Sequence, residues 1–289
     1  MQPKESAITQ ITFPNSLTIV TKSGLKGCSS LKEISLPLTV KYIKSNAFQG
    51  CILLSKIEIP SSVLYIGDYA FCECASLTEI SLPSSQTKIG DYMFNRCNKI
   101  TKIDIPQSVV SIGKDAFNGC SSLSQVTIPS SVSEIDEFAF SGCFSLKEIT
   151  IPSKLKEIKP YTFSVCSKLS SIVFDDQSSI ASIGEDAFRG CSSLSQISIP
   201  LSVSSISDYA FRGCSALKSI EIPPSVVSIG DYAFKGCCSL LKVTIPPSVI
   251  FLGKGSFKDC KRLRQIFIPS TLKSFTDAGI RPKAKVKII

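Results

Sequence analysis

Leu217-Lys218-Ser219-Ile220-Glu221-Ile222-Pro223, followed by Val226, Ile229, Phe234 and Cys237, decides the fold, because the same run returns every 23 residues. It reads Leu31-x-x-Ile34-x-Leu36-Pro37, then Leu54-x-x-Ile57-x-Ile59-Pro60, then Leu77-x-x-Ile80-x-Leu82-Pro83, and continues to Leu263-x-x-Ile266-x-Ile268-Pro269. A unit of this length is one supersecondary element that cannot bury its own apolar face. Stacked neighbours must supply the core, so the pattern predicts a solenoid.

Eleven complete units begin at Ile8, Leu31, Leu54, Leu77, Ile100, Leu123, Leu146, Leu169, Leu194, Leu217 and Leu240. A twelfth begins at Leu263 and lacks its Phe and Cys, and counting on by 23 places a thirteenth start at Val286 with Ile289 at the Ile position. Two residues are inserted between Leu169 and Leu194, where Phe174-Asp175-Asp176 replaces the proline. That insertion predicts a solvated bulge.

Within a unit, Ile34 and Leu36 alternate with Glu33 and Ser35, which predicts a short strand with one buried face. Proline ends it, since it cannot donate to a ladder. Pairs such as Val63 and Ile66, or Val226 and Ile229, then turn the chain inward. In Gly67-Asp68-Tyr69-Ala70-Phe71 and its equivalents the Asp is placed to cap one helical turn, and a Gly before the Cys is placed to end it. Parallel strands are thus expected on one face, and short turns, 3-10 or single-turn helices on the other.

The pattern resembles the BspA-like leucine-rich repeat family of 23-residue type, whose consensus is close to L-x-x-I-x-I-P-x-S-V-x-x-I-G-x-x-A-F-x-G-C-x-S. The resemblance covers residues 8 to about 275. Other leucine-rich repeats place an Asn after the strand. This chain has hydroxyls there, such as Thr39, Ser62, Ser108, Ser225 and Ser248, with Lys154 the exception. A hydroxyl column can satisfy turn backbone groups. The expected organisation is a polar tail at 1–7, the solenoid at 8–275, and a basic cap or edge strand at 276–289.

Eleven of the thirteen cysteines share one repeat position, and only Cys72 and Cys238 stand off it. Parallel side chains one coil apart hold their Cβ atoms wider than the roughly 3.8 Å a bridge wants. Buried free thiols are therefore expected, as in a reducing compartment. The first residues carry no basic and apolar leader, there is no N-x-[ST] sequon, and no apolar run is long enough for a membrane helix. These features predict an intracellular location, with the cell surface as the alternative.

Histidine is absent, which removes the commonest general base and the usual partner of a Ser or Cys nucleophile. Gly253-Lys254-Gly255-Ser256 has neither the spacing nor the context of a phosphate loop. Asp68, Asp91, Asp208 and Asp231 recur at one turn site and read as caps. No enzyme, cofactor, metal or small-molecule substrate is expected.

Protein partners are expected instead. The outward strand column Glu33, Lys56, Glu79, Lys102 alternates in sign, favouring contact between neighbouring strands. Candidate contacts are residues that break the polar pattern: Tyr42, Leu64, Tyr65, Ile250, Phe251 and Phe267. Charge supplies the others. Residues 254–289 hold ten basic and two acidic residues, which is +8 of the chain's +9. Arg281, Lys283, Lys285 and Lys287 are therefore candidates for an acidic partner. The basic tail around Lys283, Lys285 and Lys287 lacks interleaved aromatics, which disfavours nucleic acid. The reading is a non-catalytic protein-binding scaffold docking an acidic partner through its basic end. The resemblance implies cell-surface adhesion as one alternative, and a part in a large intracellular assembly is another.

Overall fold

The structure is a computed structural model and describes residues 8–272 and 275–289. The expected tail at 1–7, and Lys273 of the basic run, lie outside the described residues. The chain packs as two compact units, Met1–Ser145 and Leu146–Ile289, whose boundary falls between two repeats. Each unit is built of parallel coils, and among the described residues the only helix is the 3-10 turn Thr276–Ala278.

The strand at the head of each coil forms as the alternation predicts. Glu33–Ser35 and Lys56–Glu58 pair in parallel, with Ile34 opposite Ile57 and both buried. Lys102–Asp104 pairs with Gln125–Thr127 in the same unit. In the second unit Glu148–Ile151 pairs with Ser171–Phe174 and Lys242–Thr244 with Gln265–Ile268. The proline does more than stop the strand. Its carbonyl accepts the N–H three residues on, as Pro60 does from Val63 and Pro223 from Val226, both at 3.0 Å. The following hydroxyl donates to the previous coil: Ser62 to the Val40 carbonyl at 2.8 Å, Ser225 to Val203 at 2.7 Å. This is the hydroxyl column doing structural work.

A second parallel ladder runs down each unit. In the first it joins Ile19–Val20, Tyr42–Ile43 and Tyr65–Ile66, and separately Lys88–Ile89, Ser111–Ile112 and Glu134–Ile135. In the second it joins Glu157–Ile158, Ser182–Ile183, Ser205–Ile206, Ser228–Ile229 and Phe251–Leu252. Of the pairs read from the sequence as inward steps, the second member, such as Ile66 or Ile229, is the buried half of one of these strands, and the first, Val63 or Val226, is buried just before it.

The turn side takes the short turns expected, but not the capped helical turn. The residue after the Asp position has positive φ in coil after coil: 59° at Tyr69, 55° at Tyr92, 57° at Tyr209 and 55° at Tyr232. A left-handed residue cannot continue a right-handed helix, so no capped helical turn forms. Alternate N–H groups instead donate to the next coil: Tyr69 to Asp91, Phe71 to Met93 and Glu73 to Asn95, at 2.7–3.0 Å. The Asp side chains serve that same ladder. Asp68 Oδ1 accepts the N–H of Asp91 at 3.0 Å, and Asp208 Oδ1 that of Asp231 at 2.7 Å.

The core of each unit is a column of phenylalanines. Phe48, Phe71, Phe94, Phe117 and Phe140 in the first unit are fully buried, as are Phe163, Phe188, Phe211, Phe234 and Phe257 in the second. Neighbouring rings stack, with centroids 5.3 Å apart for Phe211 and Phe234 and 5.4 Å for Phe234 and Phe257. Beside them runs the cysteine column. Thiols along it donate to the Phe carbonyl of the preceding coil, as Cys97 Sγ does to Phe71 at 3.1 Å and Cys214 Sγ to Phe188 at 3.2 Å, while Cys51 Sγ donates to the Leu25 carbonyl, where that coil has no Phe, at 3.2 Å. The Phe71 carbonyl also accepts the N–H of Cys74 in its own coil at 3.0 Å. Cysteine suits the position because it is small, apolar and still a donor.

All thirteen cysteines are free, and Cys238 alone is not buried. Alkylation of the denatured, unreduced protein should therefore modify thirteen thiols. Five or six bridges would overturn the packing of this column.

Asp175 to Gln177, exposed just past the strand, form the expected bulge. Asp175 Oδ1 accepts the N–H of Gln177 at 3.1 Å, so this carboxylate holds its own loop. At the other end, the final strand Lys285–Ile288 pairs with Gln265–Ile268, but Val286 faces Ile266 and Ile288 faces Ile268. The step is 20 residues, and the expected register of Val286 against Leu263 is corrected. The twelfth coil lacks the Phe and Cys that lengthen the turn elsewhere. It crosses by Thr276–Ala278 and Gly279 (φ 72°), and so arrives three residues early.

Candidate functional site

The sequence candidates divide between the units. Tyr42, Leu64 and Tyr65 lie in the first, all exposed. Tyr42 and Tyr65 are register partners on the second ladder, and Lys44 Nζ lies 4.6 Å from the Tyr42 ring centre and 5.9 Å from that of Tyr65. Partial burial pushes the Tyr65 hydroxyl above its ordinary range, with Asp68 adding to the effect. Lys44 went unnoticed in the sequence because it lies outside the outward strand column.

The remaining candidates lie in the second unit. Ile250 and Phe251 are exposed, and Phe251 walls a cleft of about 500 Å³ with Ser205, Ser228, Asp208 and Glu157. Phe267 sits on the outward face of Gln265–Ile268. Lys242 Nζ approaches its ring centre to 4.8 Å and Lys287 Nζ to 5.6 Å. Lys285 is the register partner of Gln265, which also faces Lys242. The strands on either side thus set two lysines against one phenylalanine, with Lys285 one same-face position along.

Arg281 lies elsewhere in the same unit. It lines a cleft of about 570 Å³ together with Tyr232, Lys254, Lys258, Lys261 and Asp277. Lys283 is exposed in the turn closed by the Ala284 N–H to the Arg281 carbonyl at 3.0 Å.

Ion pairing sets this end apart. In the first unit lysines and arginines find acids: Lys88 with Asp91, Arg96 with Glu73, and Lys114 with Glu137, at 3.0–3.4 Å. The alternating column does not pair across strands as expected. Lys56 joins Glu58 and Lys102 joins Asp104, each two residues along its own strand. The same-face neighbour on one strand is within reach of a flexible lysine, and all four groups are exposed, so each pair contributes little. By contrast Lys254, Lys258, Lys261, Arg262, Arg264, Arg281, Lys283, Lys285 and Lys287 form no ion pair with any described residue. Their field is uncompensated.

The carboxylates that recur at the turn are engaged by backbone N–H groups. Among the described residues no three His, Cys, Asp or Glu side chains gather as a metal site, and no helix is long and apolar enough to cross a membrane.

The model of the BspA type leucine rich repeat region matches residues 4–109, 87–192 and 181–280. No curated protein matches the chain. Among solved structures, it is similar to a leucine rich cell surface protein from Faecalibacterium prausnitzii, with 28% identity, a TM-score of 0.63, and coverage of 97% of this chain and 86% of that one. A leucine-rich repeat protein from Bacteroides ovatus is 27% identical with a TM-score of 0.59, over 94% of this chain and 88% of that one. One from Eubacterium ventriosum shares the fold at 19% identity and a TM-score of 0.60, over 90% and 84% of the two chains.

Proposed function

The chain belongs to the BspA-type leucine-rich repeat family, and from that footing we propose that it is a non-catalytic scaffold whose basic end docks an acidic protein surface. One observation carries this reading: Phe267 is set between Lys242 and Lys287, beside Lys285, on an outward sheet face whose terminal cations have no acidic partner. An aromatic ring among desolvatable cations supplies an anchor as well as a field. Arg281 and Lys283 extend that field. The exposed groups Tyr42, Leu64 and Tyr65 in the first unit, and Ile250 and Phe251 in the second, are secondary contacts of the same kind.

The test is a charge reversal. K283E/K285E/K287E should weaken capture of the acidic partner at least about tenfold, because like charges then face it. Capture by the unaltered chain should fall as salt rises, since exposed charges are screened beyond about 8 Å at physiological ionic strength. Unchanged, salt-independent capture would sink the proposal.

A second reading is supported by the similarity to the cell surface protein of Faecalibacterium prausnitzii. Adhesion at a cell surface predicts loss of the chain when intact cells are shaved with protease. Protection from protease would favour docking inside the cell, including within a larger assembly.

A further inference from the structure

The turn side of the second unit carries a feature that the scaffold reading does not use. The residue following each core phenylalanine is Arg189, Arg212, Lys235 and Lys258 in four successive coils. In the first unit Lys26 is followed at this position by Gln49, Cys72, Asn95, Asn118 and Ser141, so the turn itself does not require a cation. The phenylalanines immediately before them stack 5.4, 5.3 and 5.4 Å apart, so the four residues stand at one repeat position in adjacent coils. Arg189 is held by Asp186 at 3.6 Å, whereas Arg212, Lys235 and Lys258 have no ion pair among the described residues. Arg212 lies 5.5 Å from the ring centre of Tyr209 and Lys235 5.3 Å from that of Tyr232. The nearby carboxylates of Asp208 and Asp231 accept backbone N–H groups of the next coil, both at 2.7 Å.

Hydroxyls flank the cations on both sides. Tyr209 and Tyr232 are half-exposed, and their hydroxyls bond to no described residue. Beyond the glycines stand Ser192 and Ser215, whose hydroxyls donate along the stack and keep their acceptor lone pairs. We infer that this stripe binds a linear anionic polysaccharide, whose carboxylates or sulfates meet the cations as it runs along the column and whose sugar hydroxyls meet the tyrosines and serines.

The hydroxyls select the ligand class. An acidic peptide offers the cations carboxylates on every second residue, at about 6.8 Å, but few groups for the hydroxyls beside them. Single-stranded nucleic acid needs free aromatic faces for its bases, and the Tyr209 and Tyr232 rings are already stacked on one another at 5.3 Å. A pyranose chain also turns successive carboxylates apart, but it carries hydroxyls at every ring, which the tyrosines and serines can meet.

The experiment measures binding of the full chain to polygalacturonate and to poly-L-glutamate of matched charge, at physiological ionic strength. Polygalacturonate should bind more tightly. R212Q/K235Q/K258Q should weaken it by about tenfold or more, and K283Q/K285Q/K287Q by no more than about twofold, because only neutralised contacts lose counterion release. Y209F/Y232F, which keeps the stacked rings, should weaken polygalacturonate and leave polyglutamate unchanged. Equal or tighter binding of polyglutamate would assign the stripe to acidic protein and overturn the inference. So would an unaltered affinity in R212Q/K235Q/K258Q with an unchanged circular dichroism spectrum. Neither result touches the Phe267 face, which is tested by capture of a protein.

Discussion

Phe211→Ala is expected to destabilise the second unit by about 3–5 kcal/mol, among the largest effects any single substitution in this chain should have. Phe211 is fully buried and stacks on Phe188 at 5.4 Å and on Phe234 at 5.3 Å. Its backbone also joins the coils: its N–H donates to Ala233 at 2.8 Å and its carbonyl accepts the Cys237 thiol at 3.3 Å. Truncation removes the ring contacts and leaves a cavity that two stacked neighbours cannot fill without breaking their own registry. In a repeat protein each coil is stabilised mainly by its neighbours. The loss should therefore open the coils around Leu217 first. Urea unfolding followed by circular dichroism gives the magnitude, and hydrogen exchange gives the location. A loss below about 1 kcal/mol would mean that the ring column is not the core.

The residues that made this prediction available are those the sequence announces. The Leu, Ile and Phe positions recur at one interval, and a one-residue slip would turn every strand inside out. Their burial and register were therefore readable without coordinates. The second ladder was not, because Tyr42–Ile43 and its equivalents are two residues long and too short to display alternation. The turn was misread for a different reason. Left-handed backbone usually announces itself as glycine, and here it is carried by Tyr69, Tyr92, Tyr209 and Tyr232. Those residues are held there by bonds to the next coil, which no local pattern shows. The last strand came early because a fixed interval holds only while each coil keeps its Phe–Cys turn.

The binding surfaces were half legible for the same kind of reason. Phe267 and the terminal lysines stood out as departures from the repeat. Lys242 did not, being one more polar residue in its column, and only strand pairing sets it against the Phe267 ring. The run Arg189, Arg212, Lys235, Lys258 is visible in the sequence once turn positions are aligned as carefully as strand positions. Its spacing and the free tyrosine hydroxyls are properties of the stacked coils.

Alkaline pH should unfold the reduced protein more steeply than surface charge alone would. Burial pushes the thiols of Cys51, Cys120 and Cys260 up to about 12 and that of Cys72 to about 11, from an ordinary 9.0. Cys74, Cys97, Cys191, Cys214 and Cys237 are raised well above 9.0 by the same cause. The folded chain therefore keeps protons that the unfolded chain releases. Stability from these groups is complete below pH 9, where both states are protonated, and is lost as pH rises towards the folded values. Each such thiol contributes a slope of about 1.4 kcal/mol per pH unit in that window. Partial burial of Tyr92 and Tyr161, with hydrogen bonds to Asp115 and Glu185, raises both hydroxyls to about 12 and acts in the same direction. Cysteine substitutions separate the two contributions. Cys120→Ala should flatten the fall in the urea midpoint between pH 9 and 11 by roughly one thiol's share, while a tyrosine-driven slope would not respond. Stability that is level across this range, or thiolate absorbance rising near pH 9 in the folded protein, would show that the cysteine column is open to water. The packing of S–H groups against the Phe carbonyls would then be wrong, and with it the reason this position is cysteine in coil after coil.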